Sequence, residues 1–159
     1  MTDKLLLEMR GHTALITINN PAANTWDADK GITQSQLMST SEIKEWLDLG
    51  MDIGAHSKTH ADLTSVSEKK VLEEIKDCKA DLEDIFKVSI SDFCYPFGLF
   101  NDLTCTVAKN AGYLSATTML RGRTNSKSNR LQLPRIPINH RTLPHLFLAK
   151  ILTKYEDKR

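Results

Sequence analysis

Cysteine is scarce in this chain of 159 residues: Cys78, Cys94 and Cys105 are an odd, widely spaced set with no Cys-x-x-Cys pair. That pattern excludes a disulfide framework or a zinc ribbon and fits a reducing compartment. Long hydrophobic runs are lacking too, so no membrane span is expected. The first residues lack the basic region and following apolar stretch of about 7 to 15 residues that a secretory signal carries, which makes the cytoplasm the expected location. There is no excess charge of either sign: 21 Lys and Arg stand against 20 Asp and Glu, for a net charge of +1. No global field therefore favours nucleic acid as a partner. With 7 Gly, 5 Pro and no biased tract the chain is neither collagenous nor of low complexity, and its 40% hydrophobic and 26% charged residues match an ordinary globular domain. No internal repeat suggests a solenoid.

What is present is ordered patterning. Lys4–Met9 and Thr13–Ile18 read as two strands turned at Arg10-Gly11-His12, an expected N-terminal β-hairpin. Residues 19–36 carry the turn formers Asn-Asn-Pro and Asp-Ala-Asp-Lys-Gly without an apolar period, and read as a linker or a loop. Ser39-Thr40-Ser41 then opens a helix carrying Ile43, Trp46 and Leu47 and closed by Gly50, with a strand Met51–Ala55 after it. Ser65 and Glu68 are spaced as a capping box before a long helix whose apolar face is Val71, Leu72, Ile75, Cys78, Leu82, Ile85 and Phe86. Ser89–Tyr95 reads as a strand, Asn101 or Asp102 caps a helix that Gly112 ends, and Tyr113–Met119 is a further strand. Leu131–Ile138 is extended, and Thr142 with Pro144 starts a last helix through Tyr155. This alternation predicts an α/β protein with a mostly parallel sheet, whose sites gather at the carboxyl ends of strands.

His56 and His60 leave such a strand end four residues apart. Neutral imidazoles at that spacing can face one divalent cation such as zinc, or can be two exposed loop histidines; a catalytic zinc site also needs a third protein ligand and an open position. Phe93-Cys94-Tyr95-Pro96-Phe97-Gly98 forms either a pocket wall with an exposed backbone donor or a packed strand end with a Pro-Gly turn. Arg135 either pairs with a carboxylate or reaches to water. His140 and His145 lie at the start of the last helix, where either is a proton donor or a bland surface residue.

Taken in order, several segments resemble the NodB-homology polysaccharide deacetylase family. They are Ile43-Lys44-Glu45-Trp46-Leu47-Asp48-Leu49-Gly50-Met51-Asp52-Ile53-Gly54-Ala55-His56-Ser57-Lys58-Thr59-His60, Asp62-Leu63, Phe93 to Gly98, Asn110-Ala111-Gly112-Tyr113 and Leu133-Pro134-Arg135-Ile136. The resemblance covers about residues 37–151 and implies a (β/α) barrel with metal-dependent removal of acetyl groups from an amino-sugar polymer. It implies His56 and His60 as metal ligands, most simply of zinc, and a substrate groove at Tyr95, Pro96 and Gly98, with the Tyr95 N–H on the oxyanion. It further implies Arg135 as the arginine that orients a catalytic carboxylate, and matches His140 loosely to the leaving-group acid. The expected partner is an acetylated polysaccharide or oligosaccharide.

The family's first strand ends in Thr-Phe-Asp-Asp, which supplies the catalytic base and the third ligand, and nothing of that form precedes Leu37. Residues 5–26, with Gly11-His12-Thr13-Ala14-Leu15-Ile16-Thr17-Ile18-Asn19-Asn20-Pro21 and Ala23-Asn24-Thr25-Trp26, are instead similar to the opening hairpin of an enoyl-CoA hydratase/isomerase. The expectation is a chimeric, truncated chain: a hydratase-like hairpin and linker over 1–30, and an incomplete deacetylase-type barrel over 31–159. Asp27 and Asp29 are the acids that could replace the aspartates. Impaired hydrolysis follows, with a non-catalytic carbohydrate- or partner-binding pseudoenzyme as the alternative and self-association through an open sheet edge as a further expectation.

Overall fold

The computed structural model describes residues 5–10, 13–18, 38–138 and 142–157, the first two segments as backbone only. Six strands form one sheet in the order of the chain: β1 (Leu5–Arg10), β2 (Thr13–Ile18), β3 (Asp52–Ala55), β4 (Asp92–Cys94), β5 (Ser115–Arg121) and β6 (Leu133–Arg135). β1 and β2 pair antiparallel, Leu5 opposite Ile18 and Arg10 opposite Thr13; every later neighbour is parallel. The expected mostly parallel α/β sheet is therefore present. Among the described residues it does not close into a barrel, and β1 and β6 are its two edges. β2 pairs with β3 from Thr13–Asp52 to Ile16–Ala55, across the boundary drawn at residue 30.

Helices lie between β2 and β3, β3 and β4, and β4 and β5 because their sequences satisfy helix ends, whereas β5 passes to β6 without one. α1 (Thr40–Asp48) begins with a reciprocal capping box, in which the Ser39 hydroxyl accepts from the Glu42 N–H and the Glu42 carboxylate from the Ser39 N–H. Within it Ile43 is buried, whereas Leu49, the residue that ends it, is 81% exposed. α2 (Glu68–Leu72), a π turn (Glu73–Asp77) and α3 (Cys78–Phe86) run on as one helix. Its cap is Ser67 rather than the expected Ser65, because Asp62 still turns the chain there: its carboxylate accepts from the Thr64 N–H and its carbonyl from the Ser65 N–H. Val71, Ile75, Cys78, Leu82 and Phe86 face the core as the periodicity predicts, but Leu72 and Ile85 are 41% exposed. α4 (Asp102–Asn110) is capped by Asn101 in exchange with Thr104. α5 (Pro144–Leu152) starts with Pro144 after Leu143, whose side chain makes no cap bond, and it ends before Tyr155.

The core joins the helices to the sheet through Ile43, Ile53, Ile75, Leu82, Phe93 and Tyr113. β3 is buried at Ile53, Gly54 and Ala55 in succession, as befits a strand covered on both faces. Pro134 sits within β6, where an edge position needs no donor from it. None of the helices among the described residues is long and apolar enough to cross a membrane. After β4 the chain makes a short 3₁₀ turn at Pro96–Gly98. Gly98 has φ +68°, and a Cβ there would collide with the Met119 backbone nitrogen. Gly98→Ala should therefore lower stability by about 1–3 kcal/mol, read as a lower urea midpoint at unchanged slope; an unchanged midpoint would mean that the turn tolerates a side chain.

Candidate functional site

The parallel pairing of Ala55 with Phe93 makes β3 and β4 end side by side, so His56 and Tyr95 emerge together at the carboxyl edge of the sheet. His56 is buried, and its Nδ1–H donates to the Cys94 carbonyl at 2.7 Å. In a neutral imidazole that bond fixes the tautomer and leaves Nε2 as the ring's lone-pair atom, the usual arrangement for a ligating histidine. The His60 ring lies 4.8 Å from that of His56, centroid to centroid, at 69°. The Phe97 ring stands 4.5 Å from His60 at 72°. The structure thus brings together the two residues expected to hold a metal. No third His, Cys, Asp or Glu completes a metal cluster with them among the described residues. The donor set fits two positions of a zinc site and leaves the third protein ligand unassigned.

The loop that carries the pair is strained. Ser57 and His60 both adopt left-handed backbone angles, φ 65° and 56°, each costing about 1–3 kcal/mol for a residue other than glycine. Local bonds offset this: the His60 N–H donates to the Ser57 hydroxyl at 3.0 Å, and Lys58 pairs with Asp81 at 2.6 Å. The larger support is Glu74, whose side chain is fully buried. Its Oε2 accepts from the Lys58 and Thr59 N–H groups at 2.9 and 2.8 Å, while Oε1 accepts from the Thr59 hydroxyl at 2.6 Å and pairs with the Lys70 ammonium at 3.1 Å. Sequence reasoning missed Glu74. The available signal was its position, three residues after Val71 and four before Cys78, which places a carboxylate on the apolar side of the helix.

The turn after β4 differs from the expectation for Tyr95. Its ring is fully buried, with the phenol donating to the Leu131 carbonyl at 3.0 Å, so it does not line a groove. Its N–H donates to the Thr117 carbonyl at 3.1 Å, as the strand pairing with β5 demands, and cannot be the oxyanion donor. Pro96 is buried and Gly98 packs on Met119, which makes both supports of the turn. The exposed residue is Phe97, with φ 57° and 49% of its surface open. Within this turn the Gly98 N–H donates to the Tyr95 carbonyl and the Leu99 N–H to the Pro96 carbonyl, and proline has no N–H. Arg135 lies on the same sheet edge, but the partner it shows is the Thr118 carbonyl, reached by Nε at 2.8 Å, rather than a carboxylate. His140, Asp27 and Asp29 lie outside the described residues, and His145 is exposed on α5. Cys78 is buried, and burial pushes its thiol up to about 12.

Burial raises the Glu74 carboxyl, but the bonds from Thr59 and then the Lys70 ammonium outweigh it, leaving the group below the ordinary glutamate value. The folded state thus binds the proton more weakly than the unfolded chain. The stabilisation is complete above the ordinary range, about pH 4.3, and is lost as pH falls through the lower folded value. Urea unfolding from pH 7 down to acid should show a decline in stability that is shallower in Glu74→Gln; identical slopes would show that this carboxylate does not contribute.

Comparison with known proteins agrees with this architecture. The family model described as polysaccharide deacetylase matches residues 6–116, including most of the segment that resembles a hydratase. A deacetylase of Streptococcus pyogenes, solved in complex with acetate, superposes with a TM-score of 0.69 at 26% identity, covering 79% of this chain and 55% of that one. A polysaccharide deacetylase from Bacillus cereus gives a TM-score of 0.67 at 32% identity, over 76% of this chain and 39% of the other. A curated relative from Bacillus subtilis (strain 168), named for the same activity, is 23% identical over 110 residues, 69% of this chain and 39% of its own length. The chain thus spans from about two fifths to just over half of these relatives. With a match over most of its length, placed on a parallel sheet that presents His56 and His60 at its carboxyl edge, the chain belongs to the polysaccharide deacetylase family.

Proposed function

We propose that this chain carries the histidine-bearing part of a metal-dependent deacetylase, one that hydrolyses a carbon–nitrogen bond other than a peptide bond to release acetate from an amino-sugar polymer. The observation that carries the reading is the His56–His60 pair, with rings 4.8 Å apart and the His56 tautomer fixed by Cys94. The acetate held by the Streptococcus pyogenes neighbour is the product such a reaction would leave. When bound, a divalent cation, zinc by the preference of neutral imidazoles, would supply Lewis-acid polarisation of the acetyl carbonyl and its water. The chain's own residues orient the substrate. The Phe97 N–H is the turn's remaining backbone donor and takes the oxyanion role expected of Tyr95, while its ring forms a wall beside His60. Arg135 keeps guanidinium N–H groups for a carboxylate or the sugar. His140 is assigned the protonation of the leaving amine.

Within this sequence no two aspartates are adjacent, so the base and third ligand have no counterpart of the family's form, and hydrolysis is impaired. The same observation favours a second reading, a non-catalytic carbohydrate- or partner-binding domain. The hydratase likeness of residues 5–26 is a local one: β2 pairs in parallel with β3, and the deacetylase match runs through it, which favours a deacetylase origin for this strand.

Incubated with zinc or cobalt, the purified chain should bind about one ion, and His56→Ala or His60→Ala should abolish binding. Acetate release from an acetylated chitooligosaccharide should stay at least about a hundredfold below the typical enzyme turnover near 10 per second. No metal uptake would overturn the ligand assignment, and ordinary turnover would overturn the impairment. Saturable binding of a glucosamine oligomer without acetate release would support the second reading.

Assembly is part of the proposal. Pro134 weakens ladder pairing at the β6 edge, so among the described residues β1, with Leu5-Leu6-Leu7, is the edge left to pair with another copy. Light scattering should show a concentration-dependent dimer that Leu6→Pro dissociates; a monomer at every concentration would refute it.

A further inference from the structure

We propose that Glu74 is a positioning residue: its buried carboxylate holds residues 57–60 in the strained shape that stands the two imidazoles side by side. The inference rests on the reading of His56 and His60 as a cation site, but its test does not require a metal.

Glu74 lies where a leucine would be the simple choice, on the buried side of a helix between Val71 and Cys78. A carboxylate there costs free energy unless every lone pair is occupied. It is occupied almost wholly by the histidine loop. Two successive amides, Lys58 and Thr59, converge on one oxygen as they would on a bound anion, and the Thr59 hydroxyl takes the other. Neither amide belongs to a helix or strand, so Glu74 serves them in place of a backbone ladder. The two residues flanking this amide pair, Ser57 and His60, are the ones with left-handed backbone angles. The grip therefore lies between the two strained positions.

The helix is shaped for the same purpose. Glu74 falls in the π turn Glu73–Asp77, a wider turn of the kind that frequently accompanies functional sites. The Tyr113 phenol donates to the Ile75 carbonyl within that turn at 3.1 Å. Support for the imidazoles thus runs from Tyr113 at the start of the β5 segment, through the π turn, to Glu74 and the loop. A plain helix-to-loop tie would affect stability alone, whereas a positioning residue also sets the spacing of the two rings.

The test uses the metal-free chain, the variants Glu74→Gln and Thr59→Val, and three measurements: amide exchange, the ring-to-ring nuclear Overhauser contact between His56 and His60, and titration with cobalt. In Glu74→Gln, protection of the Lys58 and Thr59 amides should drop by about tenfold, with Ile53 and Phe93 in the core unchanged. The ring contact should weaken, and cobalt affinity should drop about tenfold to a hundredfold, the usual effect of losing an outer-shell partner. Thr59→Val removes one of the bonds and should show the same changes on a smaller scale, which keeps the proposal testable if Glu74→Gln does not fold. Folded variants with the ring contact and the Lys58 and Thr59 protection of the wild type would overturn it. If the wild-type chain takes up no cobalt, the cation reading fails, and amide protection and ring contact still decide the role of Glu74.

Discussion

The candidate site depends first on one register. Ala55 of β3 lies opposite Phe93 of β4 in a parallel pair, so the two strands run out at the same level. The next residue of one strand is His56, and the next carbonyl of the other belongs to Cys94, close enough to accept the Nδ1 proton. A shift of one residue would turn His56 to the opposite face of the sheet and present a different carbonyl. Register in turn is fixed by burial, since Ile53 to Ala55 and Phe93 to Tyr95 are covered and leave little freedom to slip.

Beyond the strand ends the site is built from unfavourable backbone. Ser57, His60 and Phe97, none of them glycine, have positive φ within two short stretches that meet where His60 touches Phe97. Strain of this kind persists only where the surroundings determine it more strongly than the local preference does. On one side those surroundings are the Glu74 carboxylate and the Ser57 hydroxyl. On the other they are buried Pro96 and the close approach of Gly98 to the Met119 backbone. The two supports are independent in sequence, which lets the imidazole loop and the Phe97 turn be set separately against each other.

Much of this was legible before any coordinates. Capping residues and 3.6-residue periodicity located α1, the long helix and α4, and the alternation of elements announced a parallel sheet. The position of His56 and His60 at a strand end followed from the same reasoning. What escaped was set by tertiary pairing. Tyr95 looked like an exposed donor because a Tyr-Pro-x-Gly string does not reveal that its N–H enters the ladder with Thr117. Ser65 looked like a cap because spacing alone cannot show that Asp62 has already engaged the neighbouring amides. Glu74 escaped because an amphipathic pattern counts apolar residues, and a single carboxylate among them is noise until its donors, about fifteen residues away along the chain, are seen.

The occupancy of Glu74 also decides what it does not do. It is a fully buried carboxylate bonded to the histidine loop, and the simplest thought is that it supplies the missing third ligand. Both its oxygens are spent: one on the Lys58 and Thr59 amides, the other on the Thr59 hydroxyl and the Lys70 ammonium. Turning either toward the imidazoles would strand two amides between residues already in strained conformations, and would leave Lys70 without this partner. A carboxylate that holds the shape of the site is thereby unable to join its chemistry. Whatever completes the histidine pair, Glu74 serves it by holding the loop and not by joining it.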